Sequence, residues 1–143
     1  MIRAFAGLAD RYPDYTLTIY GEGELREALE KLIASLGMKN RIFLPGVIPD
    51  VADQIGRASL FLLVSYSEGV SNALIEAMAL GLPVIATDVP GGGSLELIRH
   101  GVDGWVIPTG DEAALTKAMD MLLSVRELAD RLDGMADWLM EHI

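Results

Sequence analysis

The chain has 143 residues, a formal charge of −10, a hydrophobic fraction of 51% and a mean hydropathy of +0.33. A chain of this size buries about 70% of the surface that its unfolded form exposes, so these values fit one compact domain and argue against intrinsic disorder. The acidic balance argues against nucleic acid, which is bound through Lys and Arg on phosphates, and the lack of Cys excludes disulfides, a thiolate nucleophile and Cys-ligated zinc.

In chain order, residues 1–11 carry Ile2, Phe5, Ala6, Leu8 and Ala9 at helical spacing and predict an uncapped helix. Residues 16–20 alternate as a strand. Gly21-Glu22-Gly23-Glu24 then makes a strand-to-helix turn. It is a weak dinucleotide fingerprint, because Arg26 stands where a third glycine would be. Residues 24–36 form an amphipathic helix along Leu25, Ala28, Leu29, Leu32, Ile33 and Leu36, ended by Gly37. Residues 41–44 are a short strand, broken by Pro45-Gly46. Asp50 caps a helix over residues 51–58, and residues 60–64 read as a buried strand.

Ser67-Glu68-Gly69-Val70-Ser71-Asn72 follows, a Gly turn with two candidate caps before a helix closed by Gly81. Ala73, Leu74, Ile75, Ala77, Met78 and Leu80 leave that helix apolar nearly all round. It therefore predicts a buried helix in which Glu76 needs a partner or a ligand. Arg41 and Arg57 are the structural candidates for that partner. Residues 83–87 are another apolar strand, and residues 88–93 a Gly-rich loop. A short helix runs from Ser94 to about His100, and Val102-Asp103-Gly104 is a turn before a last strand at residues 105–107. Thr109-Gly110-Asp111 caps a helix over residues 112–123, with a final helix from Val125 onward.

Strands alternate with helices throughout. The predicted fold class is α/β, a doubly wound, mostly parallel sheet of about five strands flanked by helices. Ligands of such sheets sit beyond the carboxyl ends of the strands. The candidate loops all follow strands: Gly21 and Glu22, residues 46–50, residues 65–72 and residues 88–93. The free N–H groups at the start of the helix near Asn72 favour an anion there. His100 and His142 lie far apart, and no Asp-x-Asp occurs. No apolar run reaches the ~20 residues of a membrane span, and no signal peptide opens the chain.

Glu68 and Glu76, set in E-G-V-S-N-A-L-I-E-A-M-A-L-G-L-P-V-I-A-T-D, resemble the signature of the family 4 glycosyltransferases. The resemblance extends over nearly the whole chain but covers only the donor-binding half of such an enzyme. It implies a Rossmann-like domain, one half of a GT-B fold, that binds a nucleotide sugar for retaining transfer of a hexosyl group to a saccharide or lipid-linked acceptor. It implies that Glu68 is catalytic and that Gly69, Val70, Ser71, Asn72 and Ala73 hold donor sugar and phosphate. Glu76 would take the ribose diol, and Ile48 with Asp50 the base, although Asp50 also reads as a helix cap. UDP is the expected nucleotide. No metal and no separate cofactor are expected, because the helix start neutralises the leaving diphosphate.

The family's donor half opens with one more strand and a Gly-Arg-Leu…Lys-Gly loop, and neither stands in this sequence. In the usual order, 3-2-1-4-5-6, that strand is central. Its absence predicts a gap between residues 16–20 and 60–64, closed by direct pairing, by a homo-oligomeric strand swap, or by further polypeptide. The acceptor domain is likewise missing, so the chain alone is expected to be inactive. A cytoplasmic setting is expected, peripheral to the inner membrane through the full-length enzyme. Alternatives are a degenerate non-catalytic α/β domain and a UDP-sugar 2-epimerase-like GT-B domain. A signalling receiver would need an acidic pair after its first strand, which is not evident.

Overall fold

The fold is taken from a computed structural model, which describes residues 1–142 except 22, 65–71, 90–96 and 103; side chains at 51 and 129–142 lie outside the description. In chain order the elements are α1 (Ile2–Leu8), β1 (Leu17–Tyr20), α2 (Arg26–Ser35), β2 (Ile42–Gly46), α3 (Val51–Ile55), β3 (Phe61–Leu63), α4 (Asn72–Ala79), β4 (Val84–Asp88), β5 (Trp105–Pro108) and α5 (Glu112–His142). The predicted α/β class stands. Every strand pairing is parallel and the strands are flanked by helices. The helix expected from Ser94 falls mainly outside the described residues.

The strands form two sheets, β1-β2 and β3-β4-β5. β4 sets the layering of the larger one. Ile85 belongs to a cluster with Ile2, Phe5, Leu8, Ile107, Leu115 and Met119, which is the α1 and α5 side. Its neighbours Val84 and Ala86 face the other way and pack with Ile55, Leu74, Ala77 and Ile98, the α3 and α4 side. That is the period of two expected of a strand covered on both faces. Gly104 makes the close fit at its edge possible. A Cβ there would lie 2.6 Å from a Val84 methyl and 2.8 Å from an Ile98 methyl.

Among the described residues β1 and β3 do not pair with each other: β1 meets β2, and β3 meets β4. Across the division, the first cluster takes in Leu17 and Ile42 from one sheet, Ile85 and Ile107 from the other, and α1 and α5 beside both. The helices are tied by Tyr12, just after α1. Its buried hydroxyl donates to Asp120 (2.5 Å to Oδ1) and lies 2.6 Å from the Ser124 hydroxyl. Arg11 adds an exposed ion pair to Asp120 at 2.9 Å.

Several expectations need correction. β2 continues through Pro45 to Gly46, which pairs with Tyr20. Pro is tolerated because β2 is an edge strand, and the register shift between Thr18 and Tyr20 absorbs the irregularity. The two C-terminal helices are one helix of 31 residues. No Pro or Gly interrupts positions 123–126, and Ser124 spends its hydroxyl on Tyr12 rather than on a cap. Leu25 is 68% exposed, because it is the N-cap of α2 and stands off the helix's buried stripe.

Candidate functional site

Parallel pairing brings the ends of β1 and β2 to one edge of their sheet and the ends of β3, β4 and β5 to one edge of theirs. At β1 the chain leaves through Gly21, at φ 119°, whose N–H donates to the carbonyl of Gly46 at 3.0 Å. Gly46 itself has φ 84°, a conformation that an L side chain resists. The pair locks the ends of β1 and β2 together and turns residues 47–50 outward. Val47 stands 75% exposed, Ile48 is half-buried and Asp50 is exposed. Sequence reading placed a turn at each glycine but missed that the two bond to each other. The available signal was a glycine at the end of both neighbouring strands.

Asp50 acts as the N-cap of α3, its Oδ1 accepting from the N–H of Asp53 at 3.2 Å. The capping role is therefore observed. A carboxylate has lone pairs to spare, so a base contact is not blocked.

β3 leads through Val64 towards α4. Glu68, Gly69, Val70 and Ser71 lie outside the described residues, and so do the glycines of residues 91–93. Asn72 is the first residue of α4 and is exposed. Ala73 is half-buried. The C-terminus of α4 closes as expected. Gly81, at φ 76°, donates to Met78 O at 3.0 Å and Leu82 donates to Ala77 O at 3.1 Å, the double bond of a Schellman cap.

Glu76 departs from expectation. α4 is not apolar all round in its packing. Leu74 and Ala77 are buried, whereas Ile75, Leu80 and Glu76 are exposed. Glu76 is therefore a solvated carboxylate, not a buried charge in need of a counter-ion. The two structural partners considered for it are engaged elsewhere. Arg41 donates to the carbonyls of Tyr15 (2.9 Å), Tyr12 (2.8 Å) and Ala9 (3.3 Å), and Arg57 pairs with Asp53 at 3.4 Å. Glu76 forms no ion pair among the described residues. It can accept two hydrogen bonds from a diol at little desolvation cost.

β4 ends at Asp88, whose carbonyl takes the Thr109 hydroxyl at 2.7 Å. Among the described residues, no three His, Cys, Asp or Glu side chains are grouped to hold a metal ion. No described helix is long and apolar enough to cross a membrane.

The chain matches the family described as "Glycosyl transferases group 1" over residues 1–136. It is 36% identical over 123 residues to the exopolysaccharide phosphotransferase SCO2592 of Streptomyces coelicolor, covering 85% of this chain and 13% of that protein. Among solved structures it resembles Anabaena Alr3699/HepE in complex with UDP-glucose, with a TM-score of 0.77 and 26% identity over 88% of this chain and 35% of that one. It also resembles the C-terminal domain of a group 1 glycosyl transferase, LpcC, from Francisella tularensis, with a TM-score of 0.77 and 26% identity over 86% and 66%. The chain spans 13% to 36% of the length of the first curated relatives it matches.

Proposed function

The chain belongs to the group 1 glycosyltransferases, and from that premise we propose that it is the donor-binding half of a family 4, GT-B enzyme, one strand short of the usual order. The donor is a UDP-sugar, and a hexosyl group passes with retention to a saccharide or lipid-linked acceptor in polysaccharide assembly. The observation that carries this reading is Glu76. It is an exposed carboxylate on the second turn of α4, the helix that follows β3 in the chain.

In this reading the N–H groups at the start of α4 stabilise the diphosphate, with no metal required, as charge builds on the leaving group. Asn72 and Ala73 begin that helix, and Gly69, Val70 and Ser71 precede it. Glu76 accepts the two ribose hydroxyls, and Ile48 offers apolar surface to the base. Glu68 supports the sugar as its bond to the diphosphate oxygen breaks. The acceptor oxygen forms its bond on the same face and passes its proton to the departing phosphate oxygen. Acceptor binding belongs to a domain outside this chain, so the chain alone binds donor without transferring it.

Titrating the purified chain calorimetrically with UDP tests the reading. Glu76→Ala should weaken UDP binding about 10- to 100-fold, the loss of charge-assisted hydrogen bonds, and leave thermal stability unchanged. Equal affinity in both proteins would remove Glu76 from the site. No binding at millimolar UDP would leave glycosyl transfer a matter of ancestry.

A further inference from the structure

Arg26 is left over from the weak fingerprint of residues 21–26. It stands where a third glycine would let a helix pack close against a strand. The structure gives it another task. Arg26 is the first residue of α2, and its Nη2 donates to the carbonyl of Leu44, near the end of β2, at 2.6 Å. Its Nε donates to Glu30, one turn further along, at 3.1 Å, which orients the guanidinium plane. A charge-assisted bond this short is among the stronger ones that a carbonyl accepts.

The bond falls where the ladder between β1 and β2 is weakest. Leu17 pairs with Ile42 and donates to Arg41 O at 2.9 Å, so the odd-numbered residues of β2 bond towards β1. Ile42 and Leu44 turn the other way, and the Ile42 N–H accordingly goes to Met38 O at 2.9 Å. Pro45 follows with no N–H to offer, and the register shifts between Thr18 and Tyr20. The next bond is the one from Gly21 to Gly46 O, at 3.0 Å. The connection from β1 to α2 thus holds two carbonyls of β2, Leu44 through Arg26 and Gly46 through Gly21, on either side of Pro45. Beyond them, Val47, Ile48 and Pro49 form no backbone hydrogen bond among the described residues, and Asp50 then caps α3. The course of residues 47–49 is therefore set at its two ends, and Arg26 secures the first.

We propose that Arg26 is a positioning residue: it pins the irregular end of β2 so that residues 46–50 meet the nucleotide base in one orientation, without touching the nucleotide itself. The proposal rests on the donor-domain reading for its ligand, and on the bonds of Arg26 for its mechanism. A glycine at this position would leave Leu44 O to water and the end of β2 held by Gly21 alone.

The test compares the purified chain with Arg26→Ala and Arg26→Lys. The Arg26 side chain is 37% exposed, so its removal leaves the core intact. Amide hydrogen exchange without nucleotide reads the turn. In Arg26→Ala the Gly21 amide should exchange about tenfold faster, while those of Leu17 and Ile42 stay unchanged. Equal acceleration at all three would mark a loss of stability only, and no acceleration at Gly21 would free the turn from Arg26; either overturns the proposal. Arg26→Lys keeps a cationic donor for Leu44 O and should recover most of the Gly21 protection; no recovery also overturns it. Calorimetric titration with UDP reads the consequence. Arg26→Ala should weaken UDP binding about 5- to 10-fold, the worth of one hydrogen bond, and leave the affinity for inorganic pyrophosphate, measured by competition with UDP, unchanged. An equal loss on pyrophosphate would make Arg26 a phosphate ligand, and an unchanged UDP affinity would leave it no part in the site; both overturn the proposal. A parent chain that binds no UDP sinks the donor-domain reading, and with it the placing of a base, while the exchange measurement still decides whether Arg26 holds the turn.

Discussion

The Tyr12 hydroxyl is buried where the end of α1 meets α5, bonded to Asp120 and Ser124. Burial, reinforced by the hydrogen bond to Asp120, holds its pKa above the usual 10.0. The unfolded chain therefore loses the Tyr12 proton first as pH rises. The stability tied to this group is complete below pH 10.0 and is lost as pH climbs from there through the folded-state value. Tyr12→Phe should cost about 1 kcal/mol in urea unfolding at pH 7. It should also flatten the decline of stability above pH 10.0, which a base titration followed by circular dichroism would read. An undiminished decline in the variant would mean that other groups cause it. Nothing local in the sequence marks Tyr12 for this role, since its partners lie 108 and 112 positions away. Glu76 entered as a candidate on a premise that the structure overturns. Its neighbours' hydrophobicity suggested a buried charge, whereas Ile75 and Leu80 are themselves exposed.

At the level of elements, periodicity located each described strand to within one or two residues, because a strand covered on both faces is a short apolar run between breakers. Hydrophobicity alone could not say how much of α4 is covered, since that depends on what packs against it. The contrast can be measured. Leu74 is 1% exposed and its replacement by Ala should cost about 2–5 kcal/mol. Leu80→Ala, at 57% exposure just past the helix, should fall within about 0.5 kcal/mol of the parent. Comparable losses at both sites in chemical denaturation would restore the fully buried helix. The Pro45-Gly46 pair shows the opposite failure. Both residues punctuate a sequence, yet an edge strand tolerates Pro and uses Gly46 to carry the chain outward.

For the whole molecule, the α/β class could be read directly, because it follows from the alternation of elements. The division into two sheets was legible only as a missing neighbour for β1 and β3, and how the molecule stays together was not. The answer lies in the joint between the two ends of the chain, where α1 and α5 share one apolar cluster with both sheets. That joint has a kinetic consequence. Residues 17–46 and 61–108 pair through short-range crossovers and can form early. Bringing Tyr12 to Asp120 closes a loop of 108 positions, an entropic cost of about 4 kcal/mol. The end-to-end joint should therefore assemble last and be nearly absent from the folding transition state. In stopped-flow chevrons, Tyr12→Phe should accelerate unfolding several-fold and leave the refolding rate almost unchanged. A matching loss in the refolding rate would instead make the two ends of the chain the place where folding begins.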